Sequence, residues 1–168
     1  MSLGGTFEST RAKIESGLRR LEWLPLLLAR ATLAGVFVVA GWGKVKNLQK
    51  ATGFFAELGI PAPAFNAALV AYSELICGAL LLVGLLSRVA AIPLVITMIV
   101  ALATAKASEI DSLNALAGSV EMLLLVVSLI IVVLGPGKVS LDAALARWSS
   151  RRAAARRTGP WALEPRHA

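Results

Sequence analysis

Apolar residues run along this chain in long unbroken stretches, and most polar residues gather between them. Four stretches are long enough to cross hydrocarbon: 24–43, 64–86, 89–105 and 115–134. A bilayer core takes about 20 helical residues at about 1.5 Å of rise each. Continuous runs predict helices, because strands would alternate and four of them close no barrel. The expected fold is all-α, an integral membrane four-helix bundle. Between the first two runs, "KVKNLQKATGFFAELGIPAP" places Val45, Leu48, Phe55 and Leu58 at helical spacing among Lys46, Lys50 and Glu57. Gly59 and Pro61 then stop the helix. This predicts a short amphipathic helix on the membrane surface, either a packing lid over the bundle or a gate over a lipid-facing pocket.

Composition agrees with that picture. The 168 residues are 57% hydrophobic and 16% charged, with a mean hydropathy of +0.75, where a soluble domain carries more charge. The first run begins only after residue 23 and contains Arg30, which suits neither a short signal-peptide core nor its cleavage site. Three parts are expected: an amphipathic N-terminal segment over 1–23, a four-span domain over 24–147, and a basic, disordered tail over 148–168.

Charge adds an orientation. Twelve of the 17 Lys and Arg flank the bundle on one side: before the first run, at Arg88 between the second and third, and after the fourth. Lys44, Lys46, Lys50 and Lys106 fall on the other side. Basic loops favour the cytoplasm, so both termini are expected there. The arginine-rich tail "RWSSRRAAARRTGPW" fits attraction to anionic lipid rather than to nucleic acid. The partner this implies is the lipid bilayer.

Three ionisable residues lie inside the runs: Arg30, Glu74 (within "AYSELICGALLLVG") and Glu121. Each costs about 2.5–3.5 kcal/mol near the bilayer centre, so each must face protein or a polar cavity. Counted from the predicted ends, Arg30 is about 9 Å deep from the cytoplasmic side, Glu74 about 15 Å from the outer side, and Glu121 about 9 Å from the outer side. Arg30 and Glu74 are then about 6 Å apart along the normal, which predicts a two-pronged Arg–carboxylate pair. Glu121 is nearer to Glu74, Lys44 or outside water. Such a trio serves as a clasp fixing helix register, as a site for a polar-headed lipophilic ligand, or as a proton path. Lys44 and Tyr72 are further candidates for the ligand site, Tyr72 only if it faces inward, since it is two residues from Glu74.

Some chemistry is missing. Cys77 is the single cysteine and His167 the single histidine, so an internal dithiol, a bis-histidine haem and a histidine-rich metal site are ruled out. No metal site is expected. "GPGK" at 135–138 lacks the spacing of a phosphate-binding loop. Any redox chemistry comes from a bound molecule or a partner.

With the runs and charges placed, the chain resembles the DoxX family of small four-helix bacterial membrane proteins. The resemblance rests on "LLLARATLAGVFVVAGWGKVKN", "FFAELGIPAP", "ELICGALLLVGLLSRVAA" and "GPGKVSLDAAL", in that order. It implies a multi-pass protein of the bacterial inner (plasma) membrane linked to redox metabolism. Relatives in that family include the membrane subunit of a thiosulfate:quinone oxidoreductase. Two functions are therefore expected to compete. One is a membrane subunit of a quinone-linked oxidoreductase that binds a quinone between its helices while a soluble redox partner protein supplies electrons. The other is a non-enzymatic scaffold or small-molecule carrier. "GPGKVSLD" itself reads as a helix stop followed by Ser140 capping a new helix that runs toward Arg147.

Overall fold

The computed structural model describes residues 21 and 23–157, apart from 108. The expectations for residues 1–20 and 158–168 lie outside the described residues. What is described is helical throughout, with no strand: α1 Trp23–Lys46, α2 Leu48–Glu57, α3 Pro63–Val83, α4 Ser87–Ala103, α5 Leu113–Gly118, α6 Val120–Leu134 and α7 Leu141–Arg157. Two of these, α1 and α3, are long and apolar enough to cross a membrane. Helices α4 and α6 are as apolar but shorter, at 17 and 15 residues.

Local chemistry explains the boundaries. Asn47 interrupts the chain after α1, and its side chain accepts from Lys50 N to start α2. Gly84 ends α3 with φ 73°, its N–H donating back to the Leu80 and Leu81 carbonyls, a conformation in which a Cβ is strained. The run 115–134, expected to be one span, is two helices. Ser119 is extended there, and its hydroxyl accepts from Met122 N to cap α6; Gly118 before it is a weak helix former. Thr97 within α4 and Thr104 at its C-terminal cap donate to the Pro93 and Val100 carbonyls, so both hydroxyls are satisfied locally.

One cluster of buried apolar side chains joins four helices. It takes Leu33, Ala34 and Phe37 from α1, Cys77 and Leu81 from α3, Ala90, Ala91, Leu94 and Met98 from α4, and Leu124 and Ile131 from α6. The outward faces are also apolar: Val39, Phe65, Val89 and Leu123 are each more than 60% exposed. Such surfaces are tolerated where the solvent is hydrocarbon. Helices α1 and α3 run antiparallel and unusually close. A Cβ at Gly41 would lie 2.5 Å from Leu75 N, and one at Gly78 would lie 2.9 Å from Val38 N. Small residues at both contacts let the backbones touch.

At the C-terminal end, Ser140 accepts from Ala143 N and caps α7 as the sequence suggests. The tail expected to be disordered from 148 is helical as far as Arg157. Its alanines and arginines, "ALARWSSRRAAARR", are strong helix formers.

Candidate functional site

The α1–α3 contact decides which charges meet. Gly41 faces Ala71 and Leu75, Val38 faces Gly78, and Arg30 faces Gly84. Lys44 is three residues beyond Gly41 and so on the same helix face. It reaches Glu74, and Lys44 Nζ donates to Glu74 Oε2 at 2.5 Å. Glu74 is 3% exposed, whereas the Lys44 side chain keeps 29% of its surface. The carboxylate is thus sealed between two apolar helices, and its partner opens to the surroundings.

The expected Arg30–Glu74 pair does not form. Arg30 lies opposite Gly84, ten residues along α3 from Glu74 and so about 15 Å from its level. The shorter offset came from taking predicted run ends as membrane edges; the glycine contacts set a different register. Arg30 is 4% exposed and spends its guanidinium on backbone, donating to Pro136 O at 2.9 Å and Val139 O at 2.8 Å. A Cβ at Gly84 would lie 2.6 Å from Arg30 Nη1, so the arginine passes directly over a glycine.

The same end is fastened a second time. Asp142 accepts from Leu86 N at 2.8 Å with one carboxylate oxygen and from Ser87 N at 3.1 Å with the other. Its own N–H donates to Gly84 O at 3.0 Å. Leu86 sits at φ 50°, a strained position for a residue with a Cβ, held here by that carboxylate. Asp142 also caps α4, whose first orphan N–H groups it satisfies. The sequence marks Asp142 only as an acid in the first turn of its own helix.

Glu121 belongs elsewhere. It lines an open cleft of about 330 Å³ with Lys106, Glu109, Ile110 and Ser119, among others, at the junction of α5 and α6. There Lys106 Nζ donates to Glu109 Oε2 at 2.7 Å, and this hydrogen bond raises the ammonium's pKa. The three charges expected inside the membrane are therefore not brought together. Tyr72 is 47% exposed on the outward face of α3 and takes no part in the Lys44–Glu74 site. Among the described residues no group of three His, Cys, Asp or Glu side chains comes together to hold a metal ion.

Sequence comparison adds three findings. The DoxX family pattern matches residues 25–107. An uncharacterized membrane protein of Mycobacterium tuberculosis is 36% identical over 109 residues, covering 59% of this chain and 67% of its own. A Bacillus subtilis protein named "Putative oxidoreductase CatD" is 31% identical over 116 residues, covering 69% of this chain and 83% of its own. No solved structure matches.

Proposed function

The chain belongs to the DoxX family of membrane proteins, and on that premise we propose that it is the membrane subunit of a redox system, holding the polar head of a quinone or similar lipophilic molecule beside Lys44 and Glu74. In this reading α1, α3, α4 and α6 are four spans of a bacterial plasma-membrane bundle. Both termini are cytoplasmic, α2 is the amphipathic helix at the outer surface, and a soluble partner supplies electrons. The apolar outer faces of all four helices support the spans. The name carried by the Bacillus subtilis relative agrees with the redox assignment.

The observation that carries the site is a carboxylate 3% exposed between apolar helices, tied to an ammonium that stays 29% exposed. An intramembrane ionisable pair is costly, and function is the default reason for keeping one. The Gly41 contact leaves no room for a ring between α1 and α3, so the head group fits on the open side of Lys44. Lys44 has N–H donors beyond the one directed at Glu74, and these suit a carbonyl oxygen. Glu74 fixes the ammonium in place, and Lys44, the more exposed of the two, would give a proton to the head-group oxygen and regain one from water. A bound quinone supplies reversible electron and proton uptake. Arg30 leaves the proposed site, because it lies against Gly84, about 15 Å from the level of Glu74, with its guanidinium directed at Pro136 and Val139.

Titrating ubiquinone and menaquinone analogues into the detergent-purified protein tests this. A melting temperature that rises with analogue concentration is expected, with the rise lost in Lys44→Met and in Glu74→Gln. A flat response across the panel removes the quinone and leaves the second reading, a scaffold or carrier. The use of Arg30 purely to tie the chain to itself favours that second reading.

A further inference from the structure

The end of the molecule that holds Arg30 carries a second open cleft, of about 370 Å³, lined by Leu86, Arg88, Val89, Pro136 and Asp142. It begins three residues after α3 ends at Val83, which is where that candidate span leaves the hydrocarbon. The lining is divided by chemistry. Leu86 and Val89 are 57% and 62% exposed, and Ile92 and Ile96 extend the Val89 face along α4 as exposed apolar side chains. Arg88 brings a guanidinium whose one hydrogen bond is long, 3.4 Å to Leu134 O, so most of its five donors are unspent. Asp142 also lines the cleft and keeps its negative charge, its oxygens held by the Leu86 and Ser87 N–H groups, so an anion is placed against Arg88 and away from that carboxylate.

Helix α7 leaves this cleft with the same division. Leu141, Leu145 and Trp148 recur on one face and are each about half exposed, at 47%, 51% and 53%. Arg152 lies over the Trp148 ring at 3.5 Å, while Arg147 and Arg151 are exposed beside them. Indole with arginine is the pairing found at headgroup level, the ring in the interface and the charge toward water.

We propose that the cleft and this face of α7 together form a binding site for an anionic phospholipid. Its phosphate sits on Arg88, its acyl chains lie along Val89, Ile92 and Ile96, and the α7 arginines draw further anionic headgroups. A free phosphate would use Arg88 but leave the apolar wall bare, so the occupant is a lipid. The site stands on the membrane placement of α3 and goes beyond the redox reading; loss of the quinone reading leaves it untouched.

The test uses the full-length protein in mild detergent, offered phosphatidylglycerol and phosphatidylcholine of the same chain length in equal amounts. Native mass spectrometry counts the lipid retained. Phosphatidylglycerol is expected to be held in preference, and the preference to fall about fivefold in Arg88→Gln, the effect of one basic residue near an anionic surface. Arg88→Lys should keep most of it, and millimolar inorganic phosphate should leave it unchanged. Equal retention of both lipids by the native protein, or an unchanged preference in Arg88→Gln, overturns the site. Displacement of the lipid by inorganic phosphate also overturns it, in favour of a simple anion pocket. If Arg88→Gln fails to fold, the exposed pair Arg147→Gln/Arg151→Gln is expected to lower the same preference, and no loss there counts equally against the proposal.

Discussion

Lys44 Nζ and Glu74 Oε2 stand 2.5 Å apart, one side chain 29% exposed and the other 3%. That inequality predicts an asymmetric response to mutation. Lys44→Met strands a buried carboxylate and should cost about 3 kcal/mol, the low end for breaking a buried pair. Glu74→Gln leaves an ammonium that can turn outward and should cost about 1 kcal/mol. Lys44→Met/Glu74→Leu should recover most of the loss. Denaturant unfolding in detergent reads all three, and equal costs for the single variants would show that burial is shared evenly.

Arg30→Lys is expected to fail as a conservative change. One ammonium cannot serve two carbonyls in the fixed fork that Arg30 offers to Pro136 and Val139. The loss should be about 2–3 kcal/mol, the cost of a buried acceptor left without its charged donor. Limited proteolysis within 135–140 should speed up alongside a lower melting temperature. A variant with native melting and an intact loop would remove the clasp from the account.

The helix contact predicts contrasting glycine variants on α1. Gly41→Ala places a Cβ 2.5 Å from the Leu75 backbone nitrogen, so α1 and α3 must separate and the Lys44–Glu74 bond must lengthen. Gly35→Ala meets nothing within 4 Å and should be neutral. A cysteine pair across the two helices, crosslinked in native membranes, would report the difference. Comparable crosslinking in both variants would mean that the helices are not as close as the glycines allow.

Asp142→Ala should unfasten two elements at once. It removes the acceptor for Leu86 N and Ser87 N, a cap worth about 1–2 kcal/mol, and frees Leu86 from its positive φ. Hydrogen exchange at residues 86–88 should accelerate together with exchange in the first turn of α7. Faster exchange in only one of them would show that the two ends are held independently.

These predictions rest on relationships that the sequence discloses unequally. Four apolar runs mark α1, α3, α4 and α6 to within a few residues, apart from the fourth, because hydrocarbon demands length and little else. One local cap was equally legible: Ser140 is read as a helix start and is one. The break at Ser119 was hidden, since one Gly–Ser step inside a long apolar run changes hydropathy very little. Partner choice among the charges was hidden as well. It depends on the register of α1 on α3, which Gly41 and Gly78 fix by contact rather than by any spacing along the chain. Lys44, counted outside the first run, is in fact the last turn of α1.

Arg30 is followed, 106 and 109 residues later, by the carbonyls that hold it. During synthesis the first helix is therefore complete long before its arginine has anything to grip. Until the chain passes Val139, a guanidinium about 10 Å into α1 depends on water, headgroups or the insertion machinery for its hydrogen bonds. A product broken off after Leu134 keeps its apolar helices yet carries an unsatisfied cation within the first of them. The clasp thus ties the hydrogen bonding of the first helix to the last part of the chain to be made, so that Arg30 is satisfied only once residues 136–139 are in place.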